Sequence, residues 1–339
     1  YPHNMSRSAR HRRIRPTPDL PDAGRRHDGP VSQLLLLDSA SMYFRAFFGV
    51  PDRFHSADGT PVNAVRGFAD AVARSISLLR PDAVVACWDD DWRPAFRVER
   101  VPSYKAHRVA SGSADTAPAG AEEEIPDLLA VQEPIIAALL ESVGIARVGV
   151  PGFEADDVIA QFCRDHSAGP VDIVSGDRDL FQLVDDERQV RVIYTAKGMN
   201  NLQYATDGWL MDKYGVTGSQ YADLALLRGD ASDGLPGVAG IGEKTAASLL
   251  SQFGDLDTVM SAAEADDPGI AAGVKRKLLG AGDYIEAAGP VVRLNHPVPV
   301  PPVDPTLPRR PAHPAALVEL VDTYELETPV NRLLNALAG

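Results

Sequence analysis

The chain has 339 residues, of which 45% are apolar and 24% charged, and its formal net charge is −14. That size and balance suit one large or two modest soluble domains with a sizeable core. The negative net charge excludes a simple nucleic-acid coat protein, whose surface would be basic throughout, but it allows acids gathered in a metal site with bases gathered beside it. Cys87 and Cys163 sit in apolar stretches and read as core residues, which points to a reducing, cytoplasmic setting. No run approaches the roughly 20 apolar residues of a membrane span, and the first thirty residues lack the apolar core of a signal peptide.

Residues 1–30 carry seven arginines among Pro and Gly and read as a disordered basic tail, either touching nucleic acid or merely solvated. The core is expected over 31–215. "QLLLLDSA" (33–40) and "AVVACWDDD" (83–91) are short apolar runs stopping at aspartates, as buried parallel strands do when their carboxyl ends meet a ligand crevice. Helical spacing over 63–79 links them as a βαβ crossover. Residues 92–126 form a polar arch or lid, starting "WRPAFRVERVPSYKAHR" and continuing in low complexity. "ADDVIAQFCRD" (155–165) is helical, and "VDIVSGDRD" (171–179) repeats the strand-then-aspartate pattern. The fold class is therefore α/β, a mostly parallel sheet flanked by helices with acids at one edge. Residues 216–295 read as a second, all-helical module, and 296–339 as a proline-rich connection followed by one or two short helices.

The acids at strand ends and helix starts are Asp38, Asp90, Glu154, Asp156, Asp157, Asp177, Asp179, Asp230 and Asp233. Two unit charges 4 Å apart repel by about 4 kcal/mol at an effective dielectric near 20, so such a cluster needs cations. Oxygen ligands in this number, without a His or Cys set, select Mg²⁺ or Mn²⁺ over zinc. Paired divalent ions among carboxylates serve chiefly to activate water against a phosphodiester. The lid supplies the complement: Arg93, Arg97, Arg100, Lys105 and Arg108 interleave with Trp92, Phe96 and Tyr104, a mixture suited to gripping phosphates and stacking unpaired bases.

Five stretches, "LLLLDSASMYFRAFF", "VVACWDDDWRPAFRVERVPSYKAHR", "GFEADDVIA", "IVSGDRDLFQLV" and "LRGDASDGLPGVAGIGEKTAASLL", stand in the order found in the bacterial 5′-nucleases. Over roughly residues 32–295 the chain resembles this flap endonuclease family, which also supplies the N-terminal domain of DNA polymerase I. The resemblance implies a PIN-like 5′-nuclease fold, a helical arch, a helix–two-turn–helix module holding duplex DNA, and removal of 5′ flaps or RNA primers. It makes Asp38, Asp90, Glu154, Asp156 and Asp157 a first metal group and Asp177, Asp179, Asp230 and Asp233 a second, with Asp90 selected over Asp89 and Asp91 by counting back from "FR". Lys105 and Arg108 fall at arch positions contacting the scissile phosphate. Gly234 replaces the family's usual Asn, which would loosen support of Asp233, and Ser39 replaces the usual Gly.

The stretch "GVAGIGEKT" also approaches a Walker A loop, but Glu243 separates Gly242 from Lys244 and the preceding run is helical rather than a strand, so ATP is not expected. The resemblance instead makes Gly240, Gly242, Lys244 and Thr245 a DNA-phosphate turn whose carbonyls ring a cation, usually K⁺; glycine amides at a helix N-terminus suit phosphate in either case. The expected partners are DNA bearing 5′ flaps, nicks or RNA primers, and a DNA polymerase or ligase, since no room is left after residue 300 for a polymerase domain. Two other readings stay open: a structure-specific DNA-binding protein with vestigial cleavage, and a PIN-type ribonuclease.

Overall fold

A computed structural model of the chain describes residues 33–109 and 126–339. The expected basic tail and the low-complexity part of the lid, 110–125, lie outside the described residues. In chain order the first elements are β1 (Leu34–Asp38), α1 (Ser39–Gly49), α2 (Asn63–Leu79), β2 (Ala83–Cys87), α3 (Ala95–Arg100), α4 (Asp127–Ala130), α5 (Glu133–Val143) and β3 (Ala146–Val148). Next come α6 (Ala155–Asp165), β4 (Val171–Ser175), β5 (Val190–Tyr194), β6 (Gln203–Ala205), α7 (Asp207–Tyr214) and α8 (Gly218–Arg228). The chain closes with α9 (Glu243–Phe253), α10 (Leu256–Glu264), α11 (Ala272–Leu279), α12 (Gly282–Val292), α13 (Pro314–Tyr324) and α14 (Glu327–Ala338).

The strands lie in the order β3-β2-β1-β4-β5-β6, parallel except for β6. Successive crossovers run outward from β1 to β3 and then from β4 to β5, so the topological switch falls between β1 and β4. In open α/β sheets the carboxyl ends at that switch bound the ligand crevice. Strand alternation divides the apolar side chains between two cores. Leu34, Leu36, Val85, Cys87 and Ile173 face α6 and the later helices, while Leu35, Leu37, Val84, Ala86 and Val174 face α1, α2 and α5. Every residue of β1, β2 and β4 is buried, as a sheet covered on both faces requires.

Helices α8 to α12 add their buried residues to the core on the α6 side of the sheet. The helices of the segment expected as a second module share that core, because α8 carries buried residues on nearly its whole circumference. The proline-rich connection folds back on the sheet: the Val84 amide donates to the Pro305 carbonyl (2.7 Å) and the Leu307 amide to that of Asp82 (2.9 Å). Helices α13 and α14 then pack on α5 and α2. Among the described residues no helix is long and apolar enough to cross a membrane.

Candidate metal centre and nucleic-acid interface

Asp38 closes β1 and caps α1, its Oδ1 accepting the Ser41 amide (3.1 Å) and its Oδ2 the Ser175 hydroxyl from the end of β4 (2.5 Å). Burial pushes its carboxyl up to about 7; the Ser175 bond opposes this, and the charges of Asp89 and Asp177 add to it. Asp89 follows β2 and accepts the Ala155 amide at the start of α6 (2.6 Å). Glu154 and Asp157 form a capping box there, so the first turn of α6 carries three acids where the helix dipole favours them. Glu154 is held by the Tyr104 hydroxyl (2.8 Å), the Lys105 ammonium (2.6 Å) and the Arg97 guanidinium (3.0 Å). Burial raises Asp156 well above the usual carboxylate range, and Asp177 and Asp38 reinforce the shift.

Beyond β4 the Asp177 amide donates to Ser175 Oγ (2.8 Å), and Asp177 Oδ1 accepts the Asp179 amide (2.9 Å). Gly176 between them leaves room for the Arg45 guanidinium, whose Nη2 would lie 2.8 Å from a Cβ at that position. Asp38, Asp89, Glu154, Asp156 and Asp177 line one crevice of about 750 Å³ together with Lys105 and Arg108. Asp179, Asp230 and Asp233 stand behind its wall. Burial raises Asp179 and Asp233, and the charge of Asp177 raises both further. Asp230 accepts the Ser232 amide (2.9 Å) and faces Arg178 (3.4 Å) and Arg228 (3.8 Å).

This donor set fits hard divalent cations. Buried carboxylates pushed toward protonation by one another are the arrangement that a positive ion reverses. Among the described residues no three acids close on a point at coordination distance.

Several expected roles are corrected by the geometry. Asp90 is exposed and its carboxylate lies against Gly149, away from the crevice, while Asp89 takes the place beside Asp38. The reason is strand alternation: Val85, Cys87 and Asp89 continue the face that Leu34, Leu36 and Asp38 present to α6, and Asp38 pairs in register with Cys87. Asp157 does not face the crevice, because both its oxygens bind Arg97 (2.7 and 2.8 Å). Arg97, 1% exposed, also donates to the Val291 carbonyl (3.1 Å), so it ties α3 to α12 rather than reaching toward DNA. Tyr104, 2% exposed with its hydroxyl on Glu154, presents no face for stacking. Arg93 is likewise buried, donating to the carbonyls of Tyr104 (2.6 Å) and Pro102 (2.8 Å). The first part of the expected lid is thus a packed segment.

Lys105 and Arg108 do reach the crevice. Lys105 adopts left-handed backbone geometry (φ 48°) and its amide donates to the Asp233 carbonyl (3.0 Å). Burial pulls its ammonium pKa down, but the charge of Glu154 outweighs this and holds the group protonated. Arg108 donates to the Ser232 carbonyl (2.8 Å) and stands 3.4 Å from Asp233. Arg45 and Arg178, which the sequence did not mark, also line the crevice. Arg45 lies about two helical turns beyond Asp38 and one beyond Ser41, on the same face of α1, and that spacing was the available signal.

The second expected contact lies at the N-terminus of α9. Gly240 (φ 75°) accepts Lys277 Nζ (2.8 Å), Gly242 is an N-cap without side-chain capping, and Lys244 is exposed beside the half-buried Thr245. Glu243 turns aside to pair with Arg228 (2.9 Å), so the carboxylate that broke the Walker spacing is neutralised and the first-turn amides of α9 remain open to an anion.

Comparison with known proteins agrees with this geometry. Residues 33–215 match the family described as 5′-3′ exonuclease, N-terminal resolvase-like domain, and residues 216–314 match 5′-3′ exonuclease, C-terminal SAM fold. The chain is 53% identical to a 5′-3′ exonuclease of Streptomyces coelicolor over 90% of its own length and 100% of the relative's. It is 48% identical to one of Mycobacterium tuberculosis over 90% of the chain and 98% of the relative. DNA polymerase I of Mycobacterium bovis is 38% identical over 68% of the chain but only 24% of the polymerase. In fold, the chain resembles T5 5′-exonuclease with bound divalent zinc ions (TM-score 0.57, 18% identity, 90% and 98% of the two chains). It also resembles the catalytic core of Rad2 in complex with DNA (TM-score 0.56, 15% identity, 91% and 93%). With both halves matched in order and a full-length relative above half identity, the chain belongs to the 5′-3′ exonuclease family.

Proposed function

We propose that the acid crevice is the divalent-metal centre of this 5′-3′ exonuclease and flap endonuclease, and that it hydrolyses phosphodiester bonds at 5′ flaps, nicks and RNA primers during DNA replication and repair. The observation that carries the reading is the meeting of Asp38, Asp89, Glu154, Asp156 and Asp177 with the cations of Lys105 and Arg108 in one crevice at the sheet's switch point. Those five acids would hold Mg²⁺ or Mn²⁺, with Asp179, Asp230 and Asp233 supporting a second position, and the ions would supply positive charge against the phosphoryl oxygens and lower the pKa of water.

The chain's own groups do the rest. Glu154, fixed by three donors, anchors Lys105 at the crevice wall, where its ammonium stands ready for a non-bridging phosphate oxygen. Arg108, about one-third exposed, with its guanidinium tied among the described residues to the 232–233 loop, offers a second cation to the same phosphate. Such contacts strengthen as charge develops at phosphorus and so favour the transition state over the ground state.

The turn at Gly240, Gly242, Lys244 and Thr245 would hold the backbone of duplex DNA, with K⁺ among the carbonyls of that turn. A DNA polymerase or ligase acting on the same nick is the fitting partner, and the cytoplasm the fitting location. The test is cleavage of a labelled flap substrate with product mapping in Mg²⁺, Mn²⁺ and EDTA. Cuts at the flap junction that need the metal support the reading; binding without metal-dependent cutting, or cutting of single-stranded RNA in preference, refutes it.

A further inference from the structure

A second cavity, about 810 Å³, opens between α1, α2, α14 and the 195–200 loop, and it shares Arg45, Gly49 and Gly198 with the acid crevice. At Gly49 and Gly198 a side-chain carbon would meet nothing within 4 Å, so the passage between the two cavities is not walled off there. Its lining is apolar at Met42, Ala46 and Met199 and polar at the buried Thr195 and at Asn200 and Asn335. Three arginines face it against one acid. Arg332 is committed to Asp70 through two bonds (2.7 and 2.8 Å). Arg74 is exposed, with no hydrogen-bond or ion-pair partner among the described residues. Arg45 spends Nη1 on the Ala196 carbonyl (3.0 Å), but its Nε is buried without a partner, which is a costly state for a donor.

An apolar lining broad enough for a ring, polar groups and two uncommitted guanidinium functions form the recognition set for a base joined to a phosphate. In a chain of net charge −14, a net-positive cavity opening beside a carboxylate crevice also steers an anion to one place. Arg332, Asn335 and Ala336 lie on α14, beyond the residues 33–314 that match the exonuclease family. We propose that this cavity is a nucleotide subsite that takes one or two 5′-phosphorylated nucleotides next to the cleavage centre. The proposal rests on the nuclease reading of the adjoining crevice. The ligand is either an extension of the bound strand or the short product released from it; both present the same base and phosphate.

The test is equilibrium binding of a fluorescent 5′-phosphorylated dinucleotide in EDTA, where the metal-free acid crevice repels the probe and no cleavage occurs. Arg74→Glu reverses an exposed charge and Asn335→Trp fills the groove. Each should raise the dissociation constant about tenfold, while Arg310→Glu, exposed outside the cavity, should not. Steady-state flap cleavage then assigns the source. A KM for DNA raised by Arg74→Glu places the bound strand in the cavity. An unchanged KM, with the dinucleotide inhibiting the natural enzyme but not the variant, places the released product there. No saturable dinucleotide binding, or binding equal in all four proteins, overturns the proposal. Because the binding arm needs no catalysis, its failure is distinct from a failure of metal-dependent cutting.

Discussion

Replacing Arg97 separates a DNA contact from a structural tie. In Arg97→Met the Asp157 carboxylate, 1% exposed, loses two charge-assisted bonds and keeps only the Glu154 amide (3.2 Å). The Val291 carbonyl loses its donor as well. Breaking a buried ion pair by removing one partner costs about 3–5 kcal/mol, and an orphaned carbonyl about 1 kcal/mol more. The expected loss is thus about 5 kcal/mol, or a urea midpoint lower by about 1.7 M if the slope is near 3 kcal/mol/M. Urea titration followed by the fluorescence of the three tryptophans measures it. Removing both charges, Arg97→Met with Asp157→Leu, should recover much of the loss, because no bare carboxylate then remains buried. The reasoning fails if Arg97→Met is within 1 kcal/mol of the natural protein (as ~1 kcal/mol is the worth of an exposed pair) while its DNA-binding salt dependence becomes shallower. That result would return Arg97 to the phosphate backbone.

Asp89→Asn keeps the bond to the Ala155 amide but removes a crevice charge, and single-turnover cleavage should fall about a hundredfold or more, whereas Asp90→Asn should cut at near the natural rate; the reverse order would restore the register read from the sequence. Lys105→Ala should lower the single-turnover rate at saturating enzyme more than it lowers affinity, and equal rates would remove Lys105 from the chemistry. Lys244→Ala should make the log–log salt dependence of duplex binding shallower by about one unit, with cleavage of a bound flap unchanged; titration calorimetry showing ATP binding at this turn would overturn the DNA reading. Gly234→Ala, at φ 71° and against the Ser103 carbonyl, should cost at least about 1–2 kcal/mol in thermal unfolding, and no change would mean that the lid base moves freely on its loop.

The strands of the sheet's centre and most of the acids were legible because they depend on local pattern, whereas the switch point waited on the strand order. An apolar run with an aspartate at its carboxyl end needs nothing from elsewhere in the chain to be read. Asp89 was legible too, by counting alternation along Val85 and Cys87 rather than back from the arginine that follows. Arg97 and Tyr104 were not. Basic and aromatic residues interleaved in a polar segment have the same composition whether they grip a ligand or fill a core. Only Asp157, 60 positions from Arg97, and Glu154, 50 from Tyr104, decide between the two.

That long-range pairing changes how the two acid groups relate. The base of the lid is fastened to the loop carrying Asp230 and Asp233 by three bonds: Lys105 amide to Asp233 carbonyl (3.0 Å), Ser103 hydroxyl to Gly234 carbonyl (2.9 Å) and Arg108 to Ser232 carbonyl (2.8 Å). The cations facing the first acid group are thus positioned by the backbone of the second. Gly234 makes the approach possible, since any Cβ at that residue would overlap the Ser103 carbonyl, and its αL conformation is one that glycine adopts without strain. Gly234, where the resemblance led one to expect Asn, thus stands at the contact between the lid base and the loop that carries Asp233. A charge arriving at Asp230 or Asp233 would act on Lys105 and Arg108 through the chain as well as through space, which links the position of the two cations to the state of the second acid group.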